Sequence, residues 1–266
     1  MFAQDEARLL CGHTADPARL EALVDRRLAG APLEQVLGWA EFGGLRIAVE
    51  PGVFVPRRRT ELLAEQAVAV ARAVTSRGRR PVVVELCCGS GAVSAVVLGA
   101  LGDPGDSGIL GDSGAPGGVD LHACDLDPVA VRCARANLGE RARVVAGDLY
   151  DALPATLAGR VDVLVANAPY VPEAELELMP PEARLHEPVV ALSGGPDGLQ
   201  VLRRVISGAP AWLAPGATLL VESGADQAAP VAALMAGAGL RARAVHAPGR
   251  GATVVTGTSR EPSRQP

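Results

Sequence analysis

The sequence predicts an α/β fold in which helices cover both faces of a mostly parallel, doubly wound sheet. From Pro81 onward, short apolar runs alternate with helical patterns, which is typical of βαβ units. The run at residues 161–166 is apolar along nearly its whole length, as in a parallel strand that is buried on both faces. Only residues 247–251 separate the last two predicted strands, so we expect an antiparallel hairpin at one edge of the sheet.

The elements predicted after Pro81 are seven strands and four helices. The strands are residues 82–86, 119–125, 143–146, 161–166, 217–222, 240–246 and 253–256. The helices are residues 92–101, 128–138, 198–206 and 226–236. Pro128 fits the first position of its helix because its missing N–H would have no partner there anyway.

The part of the chain before this repeat is expected to be smaller. Residues 1–38 predict short helices, the second with Asp16 and Pro17 at its N-terminus, and they are too few to bury a core alone. The apolar positions at helical spacing are Leu9, Leu10, Leu20, Leu23, Val24 and Leu28. Residues 39–60 predict a hairpin linker that turns at two glycines, 43 and 44, and Thr60 is a candidate N-cap for the next helix. The main domain is expected to span residues 61–258, followed by a disordered tail at 259–266.

The segment from Gly102 to Gly118 has low complexity and contains G-D-S-G twice. Gly, Pro, Asp and Ser bury too little apolar surface to offset the entropy of ordering the chain. We therefore predict a flexible surface insertion without a functional role.

The overall composition restricts the class of protein. Of the 266 residues, 48% are hydrophobic and only 3% are aromatic, so a full aliphatic core is expected and few rings are available for base stacking. The formal net charge of -5 disfavours a general polyanion binder. No run approaches the length of a membrane span, and no secretory signal is evident at the N-terminus.

The cysteines favour a reducing compartment. There are five of them, an odd number, with no CxxC pair, and two are adjacent. We expect a cytoplasmic protein without a disulfide framework and without a metal site.

The turn after the first strand of the repeat, E-L-C-C-G-S-G at 85–91, is a candidate cofactor site. Glycines at a strand-to-helix turn let the backbone approach a ligand closely. A dinucleotide fingerprint would place a third glycine at position 94, which is a serine here. The carboxylate of Glu85 would repel a pyrophosphate, but it suits a ligand with an amino group and a sulfonium charge, such as S-adenosylmethionine. The residues of the turn assigned to the cofactor are Glu85, Cys87, Gly89, Ser90 and Gly91.

Acidic residues follow the next two strands. Without the low-complexity insertion, Asp125 follows Gly91 at close to the spacing of about 20 residues expected for a ribose-binding acid. Asp127 competes for this role, but its place before Pro128 suits a helix N-cap. Asp148 could accept a hydrogen bond from an adenine amino group while Leu149 covers the ring, or it could be a turn residue.

The fourth strand of the repeat ends in N-A-P-Y at 167–170. Ligands of open α/β sheets bind outside the carboxyl ends of the strands. Asn167, followed by a backbone that Pro169 stiffens, suits the recognition of a planar amide or amine.

Taken together, these motifs resemble the class I S-adenosylmethionine-dependent methyltransferases, and among them the HemK-type N5-glutamine methyltransferases that modify peptide chain release factors. The resemblance runs from about Ala40 to Thr256. The segments that carry it are E-F-G-G-L at 41–45, V-x-P-G-V-F-V at 49–55, P-x-x-x-T-E at 56–61, E-L-C-C-G-S-G-A at 85–92, E-A-R-x-x-E-P-x-x-A-L at 182–192, G-G-P-D-G-L at 194–199 and V-E-S-G-x-x-Q at 221–227.

The resemblance implies a Rossmann-like methyltransferase fold with a seven-stranded, mostly parallel sheet, an antiparallel C-terminal hairpin and a short N-terminal helical segment. It implies S-adenosyl-L-methionine as cofactor and a release factor as protein substrate, with no stable nucleic acid and no membrane as partner. The strand tip of the family reads Asn-Pro-Pro-Tyr, which falls here on Asn167, Ala168, Pro169 and Tyr170. By resemblance, Asn167 and the carbonyl of residue 168 accept hydrogen bonds from the substrate amide nitrogen, Tyr170 lines the slot, and Asn167 also borders the cofactor.

The chain departs from the family pattern in three places. Ala168 replaces the first proline of the tip, although Pro169 still biases residue 168 toward extended angles. Arg58 and Arg59 replace an expected Pro-Glu, within a run of arginines that could meet an anion or form a solvated surface. The N-terminal region is shorter than the helical domain with which the family engages its protein substrate.

Other interpretations remain open on the sequence alone. One is a nucleic-acid amino-methyltransferase acting on adenine N6 or guanine N2, because the same type of tip serves exocyclic amines. Another is a cofactor-binding paralogue with a changed substrate, favoured by the short N-terminal region and Ala168. A dinucleotide oxidoreductase is disfavoured by Glu85 and the missing third glycine.

Overall fold

The computed structural model describes residues 3–102 and 118–261 of the chain. Its strands are β1 Trp39–Phe42, β2 Leu45–Ala48, β3 Val82–Leu86, β4 Asp120–Asp125, β5 Arg143–Ala146, β6 Val161–Ala166, β7 Leu213–Glu222, β8 Arg241–Ala247 and β9 Ala252–Thr258. Its α-helices are α1 Ala3–His13, α2 Pro17–Leu28, α3 Leu33–Leu37, α4 Glu61–Thr75, α5 Ala92–Leu101, α6 Pro128–Leu138, α7 Pro181–His186, α8 Val189–Leu192, α9 Gln200–Trp212 and α10 Ala228–Gly237.

Seven strands form one sheet in the order β5-β4-β3-β6-β7-β9-β8. Strands β3 to β7 are parallel, whereas β9 lies antiparallel to both β7 and β8. The predicted fold class and the antiparallel hairpin at the sheet edge are thus confirmed. Every residue of β6 is buried, because β6 lies in the centre of the sheet with helices on both faces.

Two predicted boundaries near the centre of the sheet are wrong. The helix predicted at 198–206 runs from Gln200 to Trp212, and it contains Pro210 in its last turn. Strand β7 begins at Leu213, not at residue 217, and its pairing with β6 shifts register between Val161 and Val163. Pro215 and Gly216 lie within β7, although such a Pro-Gly pair usually marks a turn.

The N-terminal helices share a small apolar cluster and contact the loop that follows β6. Arg27 donates to Glu182, and the Gln35 amide donates to the carbonyls of Val53 and His186. Leu28, although at helical spacing, is 80% exposed and lies outside this cluster.

The β1–β2 hairpin turns at the two predicted glycines, which both have positive φ angles. It packs beside the cofactor turn, because the Asn137 side chain of α6 donates to the carbonyls of Ala48 and Ser90. This asparagine links the hairpin linker to the main sheet.

The predicted N-caps have different outcomes. Asp16 and Asp127 both accept a hydrogen bond from the backbone N–H two residues on, as N-caps do. Thr60 precedes α4, but its side chain makes no capping hydrogen bond, so the prediction of a threonine cap is wrong. Thr60 has helical backbone angles at the end of a short 3-10 turn, and an N-cap normally has extended angles.

Two predicted segments lie mainly beyond the described residues. Of the insertion predicted from Gly102 to Gly118, positions 103–117 are outside them, as are positions 262–266 of the predicted tail. Ser259, the first residue of that tail, still donates to the carbonyls of Ala217 and Ala214. Within 3–102 and 118–261, none of the helices has the length and apolar character needed to cross a bilayer.

Candidate active site

One pocket opens at the carboxyl ends of the central strands. The predicted site residues that line it are Glu85, Cys87, Gly89, Ser90, Asp125, Asp148, Leu149, Asn167, Ala168, Pro169 and Tyr170. Gly91 is the exception, because it faces helix α6, where an added Cβ would lie 3.0 Å from the Leu138 side chain. The structure therefore brings both predicted halves of the site, the cofactor turn and the strand tip, to one cavity.

A row of polar side chains lies at the carboxyl ends of five neighbouring strands of the sheet. In the order β5, β4, β3, β6 and β7, these side chains are Asp148, Asp125, Glu85, Asn167 and Glu222. The asparagine is the one uncharged member and lies between two carboxylates. Parallel strands end at the same edge, which explains why residues far apart in the sequence meet here.

The cofactor turn is held open by unusual backbone angles. Cys87 and Gly89 both have a φ of 54°, and the N–H of Cys88 donates to the carbonyl of Cys124 on the neighbouring strand. A non-glycine residue with positive φ is uncommon, and such strain concentrates at functional sites. The backbone here leaves the sheet sharply before helix α5 begins.

Glu85 is buried and is held by the first turn of helix α5. One of its carboxylate oxygens accepts hydrogen bonds from both the backbone N–H and the hydroxyl of Ser94. Burial raises the pKa of Glu85 to about 7, although the hydrogen bonds to Ser94 oppose this shift. The sequence motif marks position 94 only as a missing glycine, yet Ser94 is the residue that fixes the carboxylate.

Asp125 joins the cofactor turn to the end of β4. Its carboxylate accepts from the N–H of Gly89 at 2.8 Å and from the N–H of Asp127 at 2.9 Å. Burial raises the pKa of Asp125 above its ordinary value. Asp127 lines the pocket as well, but its side chain caps helix α6. Asp125 is thus the better placed of the two acids to meet a ligand lying on the turn.

Asp148 and Leu149 form the wall of the pocket beyond β5. Leu149 is buried with a φ of 50°, and Asp148 accepts a hydrogen bond from Arg204 of helix α9 at 2.8 Å. Asp148 is therefore neither a bare turn residue nor an unpaired acceptor. Leu149, Leu126 and Ala130 supply an apolar surface between the acids.

Gln227 and Gly198 contact the backbone carbonyl of Tyr170 at the strand tip. The side-chain amide of Gln227 donates to the carbonyl of Tyr170 at 2.9 Å. A Cβ on Gly198, whose φ is 74°, would lie 2.4 Å from that same carbonyl, so only glycine fits. The Asn167 side chain lines the pocket and has no hydrogen-bond partner among the described residues, which leaves it available to a substrate.

Tyr170 is tied to the next strand by a buried carboxylate. Its hydroxyl donates to Glu222 at 3.0 Å, and the Arg59 guanidinium donates to the same oxygen at 3.2 Å. Burial raises the pKa of Tyr170, so the phenol is neutral at physiological pH. This cluster of Tyr170, Glu222 and Arg59 was not foreseen from the sequence.

The cysteines of the site behave as small apolar residues. Burial raises the pKa of Cys87, Cys88 and Cys124 above the usual range of a thiol. A thiolate nucleophile is therefore disfavoured at these positions.

The lining of the pocket fits S-adenosylmethionine in charge and polarity. Acidic side chains from three adjacent strands suit the amino group, the sulfonium and the ribose hydroxyls, and apolar side chains suit the adenine. In addition, the hydroxyl of Thr60 is buried, lies in a pocket-lining residue and has no hydrogen-bond partner among the described residues. A buried orphan donor of this kind indicates that a polar ligand group completes the site.

Comparisons with known proteins agree with this geometry. A 4-amino-L-phenylalanine/4-methylamino-L-phenylalanine methyltransferase of Streptomyces pristinaespiralis is 36% identical over 253 residues, which cover 89% of this chain and 81% of the relative. A release factor glutamine methyltransferase of Bordetella pertussis is 38% identical over 241 residues, covering 87% of this chain and 81% of the relative. A release factor glutamine methyltransferase of Mycolicibacterium smegmatis is 39% identical over 225 residues, which cover 82% of this chain and 72% of the relative.

Solved structures support the fold. A ribosomal protein L11 methylase of Lactobacillus delbrueckii superposes with a TM-score of 0.52 over 81% of this chain and 86% of that chain, at 15% identity. The human Mettl16 catalytic domain superposes with a TM-score of 0.56 over 92% of this chain and 81% of that chain, at 12% identity. No model of a protein family matches the chain.

The sheet order, the acidic edge and these relatives define a class I methyltransferase that uses S-adenosylmethionine as methyl donor. Within that class, the chain belongs to the release factor glutamine methyltransferase family.

Proposed function

We propose that the chain transfers a methyl group from S-adenosylmethionine to the side-chain amide nitrogen of a glutamine in a peptide chain release factor. The observation that carries this proposal is the free Asn167 side chain, which lies at the end of β6 near Tyr170, within the row of acidic side chains. The relatives named for release factor glutamine methylation support the choice of substrate. Such a substrate would place the enzyme in the cytoplasm.

The roles of the individual residues follow from the chemistry of amide methylation. Glu85 and Asp125 would hold the amino group and ribose of the donor, and Leu149 with Asp148 would hold the adenine. When bound, S-adenosylmethionine supplies a methyl group on a positively charged sulfur, which is a good leaving group.

The acceptor side of the site has to improve a poor nucleophile. An amide nitrogen is weakly nucleophilic because its lone pair is delocalised into the carbonyl. Asn167 Oδ1 and the carbonyl of Ala168 would accept its two N–H groups, which fixes the nitrogen in line with the methyl carbon. As the carbon–nitrogen bond forms and the methyl–sulfur bond breaks, the same oxygens stabilise the positive charge on nitrogen until its proton leaves to water. Tyr170 would hold the planar group in its slot.

The chain organisation remains as proposed from the sequence. We assign the methyltransferase domain to residues 61–258 and the hairpin linker to residues 39–60. Residues 3–38 contact the loop after β6 through Arg27 and Gln35, and the same loop contributes Met179 and Pro188 to the lining of the pocket.

A second candidate function is methylation of an aromatic amine on a free amino acid. It is favoured because the Streptomyces pristinaespiralis relative is as similar to this chain as the release factor enzymes are. An arylamine resembles an amide in having a planar nitrogen with a delocalised lone pair, so the same two acceptors would serve it.

The proposal is tested with S-adenosylmethionine carrying a labelled methyl group. The purified protein is offered a release factor, 4-amino-L-phenylalanine, tRNA and duplex DNA in separate reactions. Label on a glutamine of the release factor is the expected result. Label in the amino acid alone supports the second candidate, and label in nucleic acid alone overturns both.

A further inference from the structure

Arg59 occupies an unusual position beside the acceptor slot. It lies in the linker between β2 and α4, and it lines the pocket. Its Nε donates to Glu222, whose side chain is 2% exposed, whereas the Arg59 side chain is 43% exposed. The guanidinium carbon lies 5.8 Å from the centre of the Tyr170 ring, so the charge is adjacent to the slot that would hold the acceptor nitrogen.

The outer edge of this guanidinium is not held by an ion pair. Among the described residues, the ion pair with Glu222 is made by the inner nitrogen Nε, and Arg59 also interacts with the Tyr170 hydroxyl through its charge and a hydrogen bond, which act to lower the pKa of that hydroxyl. A guanidinium whose orientation is already fixed loses little side-chain entropy when a ligand binds. Its two parallel N–H groups match the two oxygens of a carboxylate.

The neighbouring arginines show that this arrangement is specific. Arg57 also lines the pocket, but its Nη2 donates to both oxygens of the buried Glu187 at 2.7 Å. Arg58 is exposed, does not line the pocket, and pairs with no described residue. Within the arginine run, Arg59 alone lines the pocket beside the Tyr170 ring while its inner nitrogen is paired with a buried carboxylate.

The charge distribution of the pocket agrees with a role for Arg59 on the acceptor side. The acids Asp148, Asp125 and Glu85 lie at the carboxyl ends of β5, β4 and β3, where the donor would lie. On the other side of Asn167, the carboxylate at the end of β7 is neutralised by Arg59. An acceptor entering on that side therefore meets an ion pair whose guanidinium is the exposed partner, and not an unpaired carboxylate.

We infer that Arg59 binds a carboxylate of the acceptor molecule, so that the enzyme selects substrates with a negative group close to the nitrogen that is methylated. The inference rests on the proposed function, because it assigns the substrate class of the same site. Two sources of this carboxylate are chemically equivalent: the α-carboxylate of a free amino acid, and an acidic side chain that flanks the target glutamine in a protein.

The first test measures binding without catalysis. Benzoate and benzamide have the same ring and differ in charge, and each is titrated by calorimetry into the full-length protein saturated with S-adenosylhomocysteine. We expect millimolar binding of benzoate, and at least about tenfold weaker binding of benzamide, since a charge-assisted pair is lost. No benzoate binding, or equal binding of the two, overturns the inference whatever the enzyme methylates.

Matched variants then locate the site of binding. Arg59→Ala is expected to weaken benzoate at least about tenfold, whereas Arg58→Ala, one residue earlier and exposed, should leave it unchanged. Because Arg59→Ala also removes the partner of buried Glu222, the melting temperature is recorded, and Arg59→Lys provides a variant that keeps the charge without the planar fork. If Arg59→Ala and Arg58→Ala behave alike, the inference is wrong.

The second test separates the sources of the carboxylate and uses the acceptors of the labelling experiment. For the amino acid, the carboxyl is converted to a primary amide; for the release factor, each acidic residue near the methylated glutamine is changed to its amide. We expect one such change to raise KM about tenfold or more in the wild-type enzyme, with little further effect in Arg59→Ala.

Two further outcomes would separate a failure of the inference from a failure of the proposed function. If Arg59→Ala weakens S-adenosylhomocysteine and leaves the acceptor KM unchanged, then Arg59 serves the cofactor carboxylate and the inference fails. If no acceptor is methylated at all, the proposed function fails, and the benzoate titration alone decides about the carboxylate subsite.

Discussion

The side-chain amide of Gln227 holds the carbonyl of Tyr170 at 2.9 Å, and this contact ties the strand tip to the turn that follows β7. The other end of the same side chain accepts from the N–H of Gly224, so Gln227 is fixed at both ends. Because the Tyr170 carbonyl is two residues beyond Ala168, this contact limits how far the carbonyl of residue 168, the proposed second acceptor, can move. Gln227 thus supplies rigidity that the first proline of the tip would otherwise provide.

We predict that Gln227→Glu lowers kcat about tenfold, because the donor to Tyr170 is lost while the acceptor for Gly224 remains. The affinity for S-adenosylhomocysteine should change little, since the cofactor turn is on another strand. Asp226→Asn is the control, because Asp226 is exposed and adjacent. Steady-state kinetics with an unchanged kcat for Gln227→Glu would show that the tip does not depend on this contact.

Asn167 is expected to act mainly in the transition state. Asn167→Ala should lower kcat at least about 100-fold, in the range known for the loss of one preorganised polar group. Its S-adenosylhomocysteine affinity, measured by calorimetry, should stay within a few-fold of the wild type. Asn167→Asp keeps one acceptor oxygen and should retain more activity than the alanine variant. Turnover that survives Asn167→Ala would remove this residue from the acceptor site.

Asp125 is expected to control the affinity for the cofactor. Asp125→Ala removes both the proposed ribose acceptor and the partner of the Gly89 N–H, so S-adenosylhomocysteine should bind about 10- to 100-fold more weakly. The matched change Asp127→Asn keeps the helix cap and should have little effect. Equal affinities of Asp125→Ala and the wild type in calorimetry would contradict the assignment.

The sequence was sufficient to predict that the chemical groups lie at the carboxyl edge of a mostly parallel sheet. Apolar runs located β3 to β6, and the residues that end them, including Asp125 and Asn167, had to meet because parallel strands share one edge. The hairpin at the C-terminus followed from its short connection. Boundaries failed where the chain breaks local rules, as at Pro210 inside α9 and at the register shift of β7.

The contacts that support the site could not be derived in the same way. Arg59 and Glu222 are 163 positions apart, and Tyr170 and Glu222 are 52 apart, so no local pattern connects them. Ser94 was missed for another reason: at its position the expected residue was glycine, and its hydroxyl contact to Glu85 depends on how closely α5 packs against β3. Such pairings are set by tertiary packing, which overrides local pattern.

Glu85 should make the stability of the ligand-free protein depend on pH. Burial raises its pKa from 4.5 to about 7, so the folded state keeps a proton that the unfolded state releases between these values. The stabilisation is therefore complete below pH 4.5 and is lost as pH rises through about 7, by about 3 kcal/mol in total. Denaturant unfolding of the wild type and of Glu85→Gln across pH 4.5–8 measures this; parallel curves for the two proteins would contradict it.

The same titration should act on cofactor binding with the opposite sign. A cationic amino group is bound best by an ionised Glu85, so the affinity for S-adenosylhomocysteine should increase as pH rises from 5.5 to about 7 and then level off. Below pH 7, binding must also release the Glu85 proton, which calorimetry detects as a dependence of the heat on the buffer's ionisation enthalpy. Glu85→Gln should bind more weakly and lose both effects, because a neutral amide has no proton to release. If the variant keeps the same pH slope, the ligand's amino group contacts a different carboxylate, and Asp125, whose pKa is also raised, is the first to be examined in the same way.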